Sequence, residues 1–199
     1  MSDESPQKSE SSSDAAQDLV WMERIKQGDT DALRELIEAH QGRVIGTVAK
    51  MMGTDSDAED IAQQVFIRVW KSATRYTPSA KFTTWLFKIT RNLVFNEFRR
   101  RKRHPSTPIE TADYVLQTPD ASSPAPDAAL LDAELQAAIQ RAIDSLPEVQ
   151  RMAVVLRRYE ELSYEEIAEV LDISVPALKS VLFRARVDLR LKLQKYLDA

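Results

Sequence analysis

The sequence contains no cysteine among its 199 residues. Disulfides, thiolate zinc sites and cysteine nucleophiles are thereby excluded, which is compatible with a reducing cytoplasm. Histidine occurs only as His40 and His104, too far apart in sequence to suggest a metal or acid–base site. Glycine is limited to four residues, and no Gly-rich phosphate-binding loop is present. No apolar run approaches the ~20 residues of a membrane helix, and the acidic, Ser-rich N-terminus does not resemble a signal peptide. There is no internal repeat and no β-rich segment. The expectations are a non-enzymatic protein without cofactors or membrane insertion, located in the cytoplasm.

What is present is helix-forming sequence of alternating charge. The net charge of −4 averages unlike blocks: residues 1–20 sum to −4, 21–103 to +6, 104–135 to −6 and 136–199 to zero. The blocks mark an organisation. Residues 1–17 read as a disordered acidic tail rich in Ser, Asp and Glu. Residues 18–103 have helical periodicity throughout, with Gly28, Gly42 and Gly53 near expected breaks. Residues 104–129 hold five prolines and no Lys or Arg, which reads as a flexible acidic linker too long for a loop within one compact domain. Helical periodicity resumes over 130–199. The fold class expected is all-α: two small helical domains joined by a tether.

The second of these carries a helix-turn-helix pattern over Leu162–Arg190. Ser163 with Glu166 forms a capping box, and Ile167, Ala168, Val170 and Leu171 make an inner face. A turn is expected at Asp172-Ile173-Ser174, and Pro176 sits in the first turn of the next helix, where its missing N–H costs nothing. There Leu178, Val181, Leu182 and Ala185 point inward, while Lys179, Ser180, Phe183, Arg184 and Arg186 occupy the opposite face. Residues 160–172 carry six acids and no base; residues 174–195 carry six Lys/Arg against one Asp. A basic second helix beside an acidic first one suits the DNA major groove, with the acid turned away. The plainer alternative is a surface hairpin with solvated charges, its Glu165-Glu166 pair on an exposed capping turn.

Two segments of the first domain add to this. In DAEDIAQQVFIRVWKS (57–72), Ala58, Ile61, Ala62, Val65 and Val69 form a core stripe, and Phe66 with Trp70 forms a second apolar ridge. A helix apolar on two sides must bury both, within its own bundle or against a partner. In residues 75–103 a Pro-containing loop leads into a helix starting near Lys81 or Phe82. Trp85, Phe87, Ile89, Leu93 and Val94 are spaced for burial. Lys88, Arg91, Asn92, Phe95, Asn96, Arg99 and Arg100 form a polar, basic side. Ten Lys/Arg against one acid over 71–103 favour phosphate contact. Carboxamides one turn apart, Asn92 and Asn96, offer donors and acceptors to base edges.

These three segments, DAEDIAQQVF–RVW, F–TWLFKITRN–N–RR and LPEVQR–LSYEEIAE–S–KS–FRAR–LR, occur in the order and spacing of one family. The chain resembles bacterial RNA polymerase sigma factors of the extracytoplasmic-function (ECF) group, over about 18–103 and 130–197. The resemblance implies a sigma-2 domain that binds polymerase and the −10 promoter element, and a sigma-4 domain that binds the −35 element. It implies docking on the β′ clamp helices through Asp60, Gln63, Gln64, Phe66 and Trp70. It implies −10 recognition through Asn92 and Asn96 with the loop Arg75–Lys81, backed by Lys88, Arg91, Arg99 and Arg100. It implies −35 recognition through Lys179, Ser180, Phe183 and Arg184, with Arg186 beside them. Partners implied are core RNA polymerase (β′ clamp helices and β flap), promoter DNA and a separate anti-sigma factor. The acidic linker, repelled by DNA, would serve as a spacer or thread the polymerase's basic channel. Gln64 stands where Glu is common, Asp172 where Gly is usual, Pro176-Ala177-Leu178 where Gly-Thr-Val is frequent, and Val181 where Arg is frequent. A left-handed Asp172 keeps the turn possible, because Asp tolerates that conformation better than most residues. The alternative to a sigma factor is a stand-alone helix-turn-helix regulator.

Overall fold

The computed structural model describes residues 7–53, 55–103 and 126–197, and among them the regular structure is helical. The order is α1 (Gln7–Lys26), α2 (Thr30–Met52), α3 (Asp55–Ser72), a short 3-10 turn (Ala73–Arg75), α4 (Phe82–Arg103), α5 (Pro126–Asp144), α6 (Glu148–Arg158), α7 (Tyr164–Leu171), α8 (Val175–Lys192) and α9 (Gln194–Leu197). No helix of the described residues is long and apolar enough to cross a membrane.

Helix boundaries follow local chemistry. Asp29 caps α2 by accepting from the backbone N–H of Asp31 at 2.9 Å and Ala32 at 3.0 Å, which satisfies donors that a helix start leaves open. Gly53 closes α2 in the left-handed conformation, φ 75°, where a Cβ would be strained. Gly42 was expected near a break but lies inside α2, exposed between buried His40 and Val44, which hold the helix to the core. Ser163 and Glu166 form the expected reciprocal capping box on α7, and Asp172 ends that helix at φ 58°, ψ 47°. The residue standing where glycine is usual thus adopts the backbone that glycine would.

Residues 7–17, expected within a disordered tail, belong to α1. No Gly or Pro interrupts Gln7–Lys26, and the helix is fastened by its own polar groups. Buried Asp18 lies 2.6 Å from Nε2 of buried His40 on α2, and the Trp21 indole N–H donates to Glu35 at 2.7 Å. The expected linker, 104–129, lies outside the described residues as far as 125, and α5 already begins at Pro126.

The first bundle packs α3 and α4 against α2, with Ala58, Ile61, Ala62, Val65 and Val69 buried as their spacing requires. On α4 Phe87, Leu93 and Val94 are buried as their spacing suggested, but the set is wider. Phe82, Leu86, Phe87, Thr90, Leu93 and Val94 are buried, whereas Trp85 and Ile89 are only partly so.

The two helical domains do not merely hang on a tether. One apolar cluster runs from α1–α4 into α5–α8, and polar groups seal the contact. Glu160, in the turn before α7, accepts from Arg43 Nε at 2.9 Å and from the buried Thr47 hydroxyl at 2.8 Å. Arg151 on α6 donates to the Met51 carbonyl at 2.8 Å and to the carbonyl of Asp144. Burial pulls its guanidinium below its usual range, opposed by nearby Asp144 and Glu148.

Candidate docking and nucleic-acid faces

Three separate faces emerge. The first is a groove of about 420 Å³ between α2 and α3. Leu33, Ile37 and Ile45 form one wall and Ala62, Phe66 and Trp70 the other, with Thr30, Gln41, Glu59 and Gln63 at its polar edge. This answers where the second ridge of α3 goes. Phe66 is buried at 6% exposure while Trp70 remains half-buried, and both line the groove. Asp60, Gln63 and Gln64 are exposed, but of these only Gln63 lines it. Ile67 lines it too, 45% exposed, although its spacing had set it apart from the core stripe. The α2 wall was missed in the sequence. Its signal was a second apolar row, Leu33, Ile37 and Ile45, beside the core row Leu36, Val44, Val48 and Met51. An apolar channel with a polar rim is what a helix from another protein requires.

The second face belongs to α4. Its start is fixed by aromatic packing. Phe82 is 2% exposed, with its ring 5.2 Å from that of His40 and 5.8 Å from that of Trp85. Tyr76 stacks 4.8 Å from Trp85, so Trp85 serves the core. Tyr76 is buried, and burial, aided by the charge of Asp18, raises its hydroxyl above the usual range. Between these anchors Thr77, Pro78 and Ser79 are exposed, and Arg75 is exposed at the start of this loop.

Asn92, Asn96, Arg99 and Arg100 are exposed along α4. Asn96, Arg99, Arg100 and Arg103 line a shallow hollow of about 320 Å³. Arg99 donates to the Asn96 carbonyl oxygen, which orients that carboxamide with its NH2 outward for an acceptor. The single acid of the run, Glu97, accepts from Arg100 at 2.7 and 2.8 Å and from Arg101 at 3.1 Å. The Arg100 bond, first among these, holds the Glu97 carboxyl below the usual carboxylate range. Exposed pairs of this kind contribute only ~0–1 kcal/mol, so phosphate can replace them.

Lys81, Lys88 and Arg91 are not open in the same way. Lys81 pairs with Glu166 at 2.9 Å and Lys88 with Glu169 at 2.9 Å. Arg91 Nε donates to the carbonyl of Val170 at 3.1 Å. All three partners belong to α7, whose acid was expected to turn away from the DNA bound by α8. Glu166 is not an exposed capping residue alone, because it also pairs with Lys81 just before α4. Burial opposes its ionisation, yet the Ser163 N–H and Lys81 outweigh burial and keep its carboxyl below the usual range.

The third face is the outer side of α8. Lys179, Ser180, Phe183, Arg184 and Arg186 are all exposed, Phe183 to 65%. Leu178, Val181 and Ala185 are buried beneath them, while Leu182 is partly so. Ser174 caps the helix at the Ala177 N–H, and Pro176 occupies its first turn. The exposed face includes no acid at these five positions, which suits a helix entering a DNA groove.

Comparisons with known proteins match the chain in two parts. The family model described as Sigma-70 region 2 matches residues 36–104, and that described as Sigma-70, region 4 matches residues 136–189. The chain is 33% identical to the RNA polymerase sigma-H factor of Pseudomonas aeruginosa, over 85% of this chain and 90% of that protein. It is 32% identical to the ECF RNA polymerase sigma factor SigW of Bacillus subtilis, over 87% and 95%. Among solved structures, CnrH in complex with the cytosolic domain of CnrY shares the fold with a TM-score of 0.65 at 23% identity, covering 90% of this chain and 98% of that one. The sigma factor RpoE of Bartonella quintana, in complex with the anti-sigma factor NepR, gives 0.64 at 21% identity, covering 81% and 96%.

Proposed function

The chain belongs to the ECF group of sigma-70 factors, and from that premise we propose that it binds core RNA polymerase and directs it to promoters by recognising −10 and −35 elements and melting the DNA. The observation that carries this reading is one chain holding an open α2/α3 groove beside two distinct basic helices, α4 and α8. A stand-alone helix-turn-helix regulator, the other reading of the sequence, has no use for such a groove. The roles divide as residues 18–103 for polymerase docking and the −10 element, and residues 130–199 for the −35 element. The β′ clamp helices occupy the groove, with Gln63, Phe66 and Trp70 on its α3 wall and Asp60 and Gln64 at its flank. The β flap engages the second domain. A separate anti-sigma factor is a further partner, as RpoE has in NepR.

The protein performs no chemistry of its own in this scheme and works in the cytoplasm, where promoter DNA is. Asn92 and Asn96 read bases of the −10 strand from the exposed side of α4, and Arg75, Lys81, Lys88, Arg91, Arg99 and Arg100 neutralise its phosphates. Lys179, Ser180, Phe183, Arg184 and Arg186 read the −35 duplex.

Run-off transcription tests the −10 assignment. Asn92→Ala and Asn96→Ala should each reduce discrimination between a cognate promoter and one altered at −10, by ~1–3 kcal/mol per lost base contact. Affinity for core polymerase should stay unchanged. Mutants that discriminate as well as the parent would remove these residues from the −10 face.

A further inference from the structure

The residues on either side of the loop before α4 are both aromatic and both buried. Tyr76 and Phe82 bracket residues 77–81, of which Thr77, Pro78, Ser79 and Lys81 are exposed. Among the described residues this loop has one backbone hydrogen bond of its own, from the Ser79 N–H to the Thr77 carbonyl at 2.8 Å. A segment with so few internal ties takes its position from its ends.

Those ends rest on a common floor. The Phe82 ring lies 5.2 Å from the His40 imidazole, tilted by 53°, and 6.2 Å from Tyr76, edge-on. Tyr76 in turn lies 4.8 Å from Trp85 in the first turn of α4. His40 is 6% exposed, and its Nε2–H donates at 2.6 Å to Asp18, which is 3% exposed. The other ring nitrogen, Nδ1, is buried without a hydrogen-bond partner among the described residues. The bond to Asp18 therefore sets the plane of the imidazole against which Phe82 packs. Apolar side chains would fasten α1 to α2 without fixing a ring, whereas a buried hydrogen bond adds direction. The loop's other end is also within reach of α1. Lys26 Nζ lies 5.9 Å from the centre of the Tyr76 ring, and the charge of Asp18 acts on the Tyr76 hydroxyl. Asp18 stands outside the Sigma-70 region 2 match, which begins at residue 36.

We propose that Asp18 and His40 are positioning residues for −10 reading: through Phe82 and Tyr76 they hold the loop Arg75–Lys81 in the place where it meets an unpaired base. Neither side chain touches DNA. Both act by orienting the aromatic rings from which the loop springs, and a reading contact tolerates little displacement. This rests on the assignment of the loop and α4 to the −10 strand.

The test uses holoenzyme assembled from the full chain and core polymerase, and two variants separate the bond from the ring. Asp18→Leu removes the acceptor at similar volume. His40→Gln keeps a side-chain N–H for Asp18 but takes the ring away from Phe82. The readout is the ratio of opening rates on a cognate promoter and on one substituted at −10. Both rates come from one preparation, so the ratio does not depend on how much of the protein is folded. In both variants the ratio should fall about tenfold, the weight of one base contact, with affinity for core polymerase unchanged. Asp18→Asn, which still accepts from His40, should restore the parent ratio. In fluorotryptophan-labelled protein the fluorine resonance of Trp85 should shift or broaden in both variants, while that of Trp70, in the α2/α3 groove, stays in place. Should Asp18→Leu fail to fold, His40→Gln decides alone. A parent-like ratio would overturn the proposal, provided Thr77→Ala with Ser79→Ala still lowers it. If that control also leaves the ratio unchanged, the loop does not read the −10 element, and the proposal falls with that reading. A lowered ratio with an unmoved Trp85 resonance would overturn the route through the aromatic rings.

Discussion

Phe82→Ala should destabilise the protein by ~3–5 kcal/mol, the range for deleting a fully buried aromatic ring. Phe82 opens α4 and is 2% exposed, with the rings of His40, Tyr76 and Trp85 around it at 5.2, 6.2 and 5.8 Å. Truncation leaves a cavity bounded by helices that other contacts hold in place. It also loosens the loop that precedes α4 and uncovers the buried Asp18–His40 pair. Against a total stability of ~5–15 kcal/mol, the loss is severe. At ~2–4 °C per kcal/mol for a chain of this size, the melting temperature should fall by roughly 6–20 °C. Phe82→Leu, which keeps most of the volume, should cost under ~1.5 kcal/mol. Chemical denaturation of both variants measures this directly. A loss below about 1 kcal/mol for the alanine variant would show that the aromatic cluster is not core.

The second large effect concerns binding and should leave the fold alone. Ile67 lines the α2/α3 groove yet is 45% exposed, so Ile67→Asp should move stability by no more than ~0.5 kcal/mol, as surface changes do. In the complex the same carboxylate would be buried without a partner. The desolvation penalty of several kcal/mol should lower affinity for core polymerase by roughly 100-fold. Ile61→Ala is the converse control. Ile61 is 7% exposed on the core side of α3, so its truncation should cost ~2–5 kcal/mol without changing affinity per folded molecule. Thermal melts paired with core-binding titrations separate the two. If Ile67→Asp bound core normally, the groove would not be the docking surface.

How far the sequence could be read depended on the range of the interaction involved. Local devices were legible: the Ser163–Glu166 capping box, the left-handed Asp172 and the buried stripe of α3 are each set within a few residues. The exposed set on α8 was legible for the same reason, since Pro176 and Ser174 fix the helix start and hence its phase. Only part of the α4 stripe was legible, namely Phe87, Leu93 and Val94, because that helix is packed on more than one side. With α2 and α3 on one flank and α7 on another, Phe82 and Leu86 rather than Trp85 and Ile89 take the deepest positions. The helical state of residues 7–17 was hidden by a composition rich in Ser and Asp, and the anchor that holds α1, Asp18 against His40, joins residues 22 apart. The meeting of α4 with α7 left no local trace, since Lys88 and Glu169, 81 residues apart, share no periodicity. What the sequence did carry was the charge segregation itself, an acid-only stretch in the same chain as a base-rich one. What it did not show is that the nearest cations to those acids are Lys81 and Lys88 of the chain's other domain.

This chain should recognise and open promoters only as a subunit of RNA polymerase. Fluorescence of a base analogue placed in the −10 region of a cognate promoter reports opening directly, in the presence of the chain alone, core polymerase alone, and both together. A signal should appear only with both, and should be lost when Ile67→Asp replaces the parent chain. Opening of the same promoter to the same extent by the chain alone would contradict it.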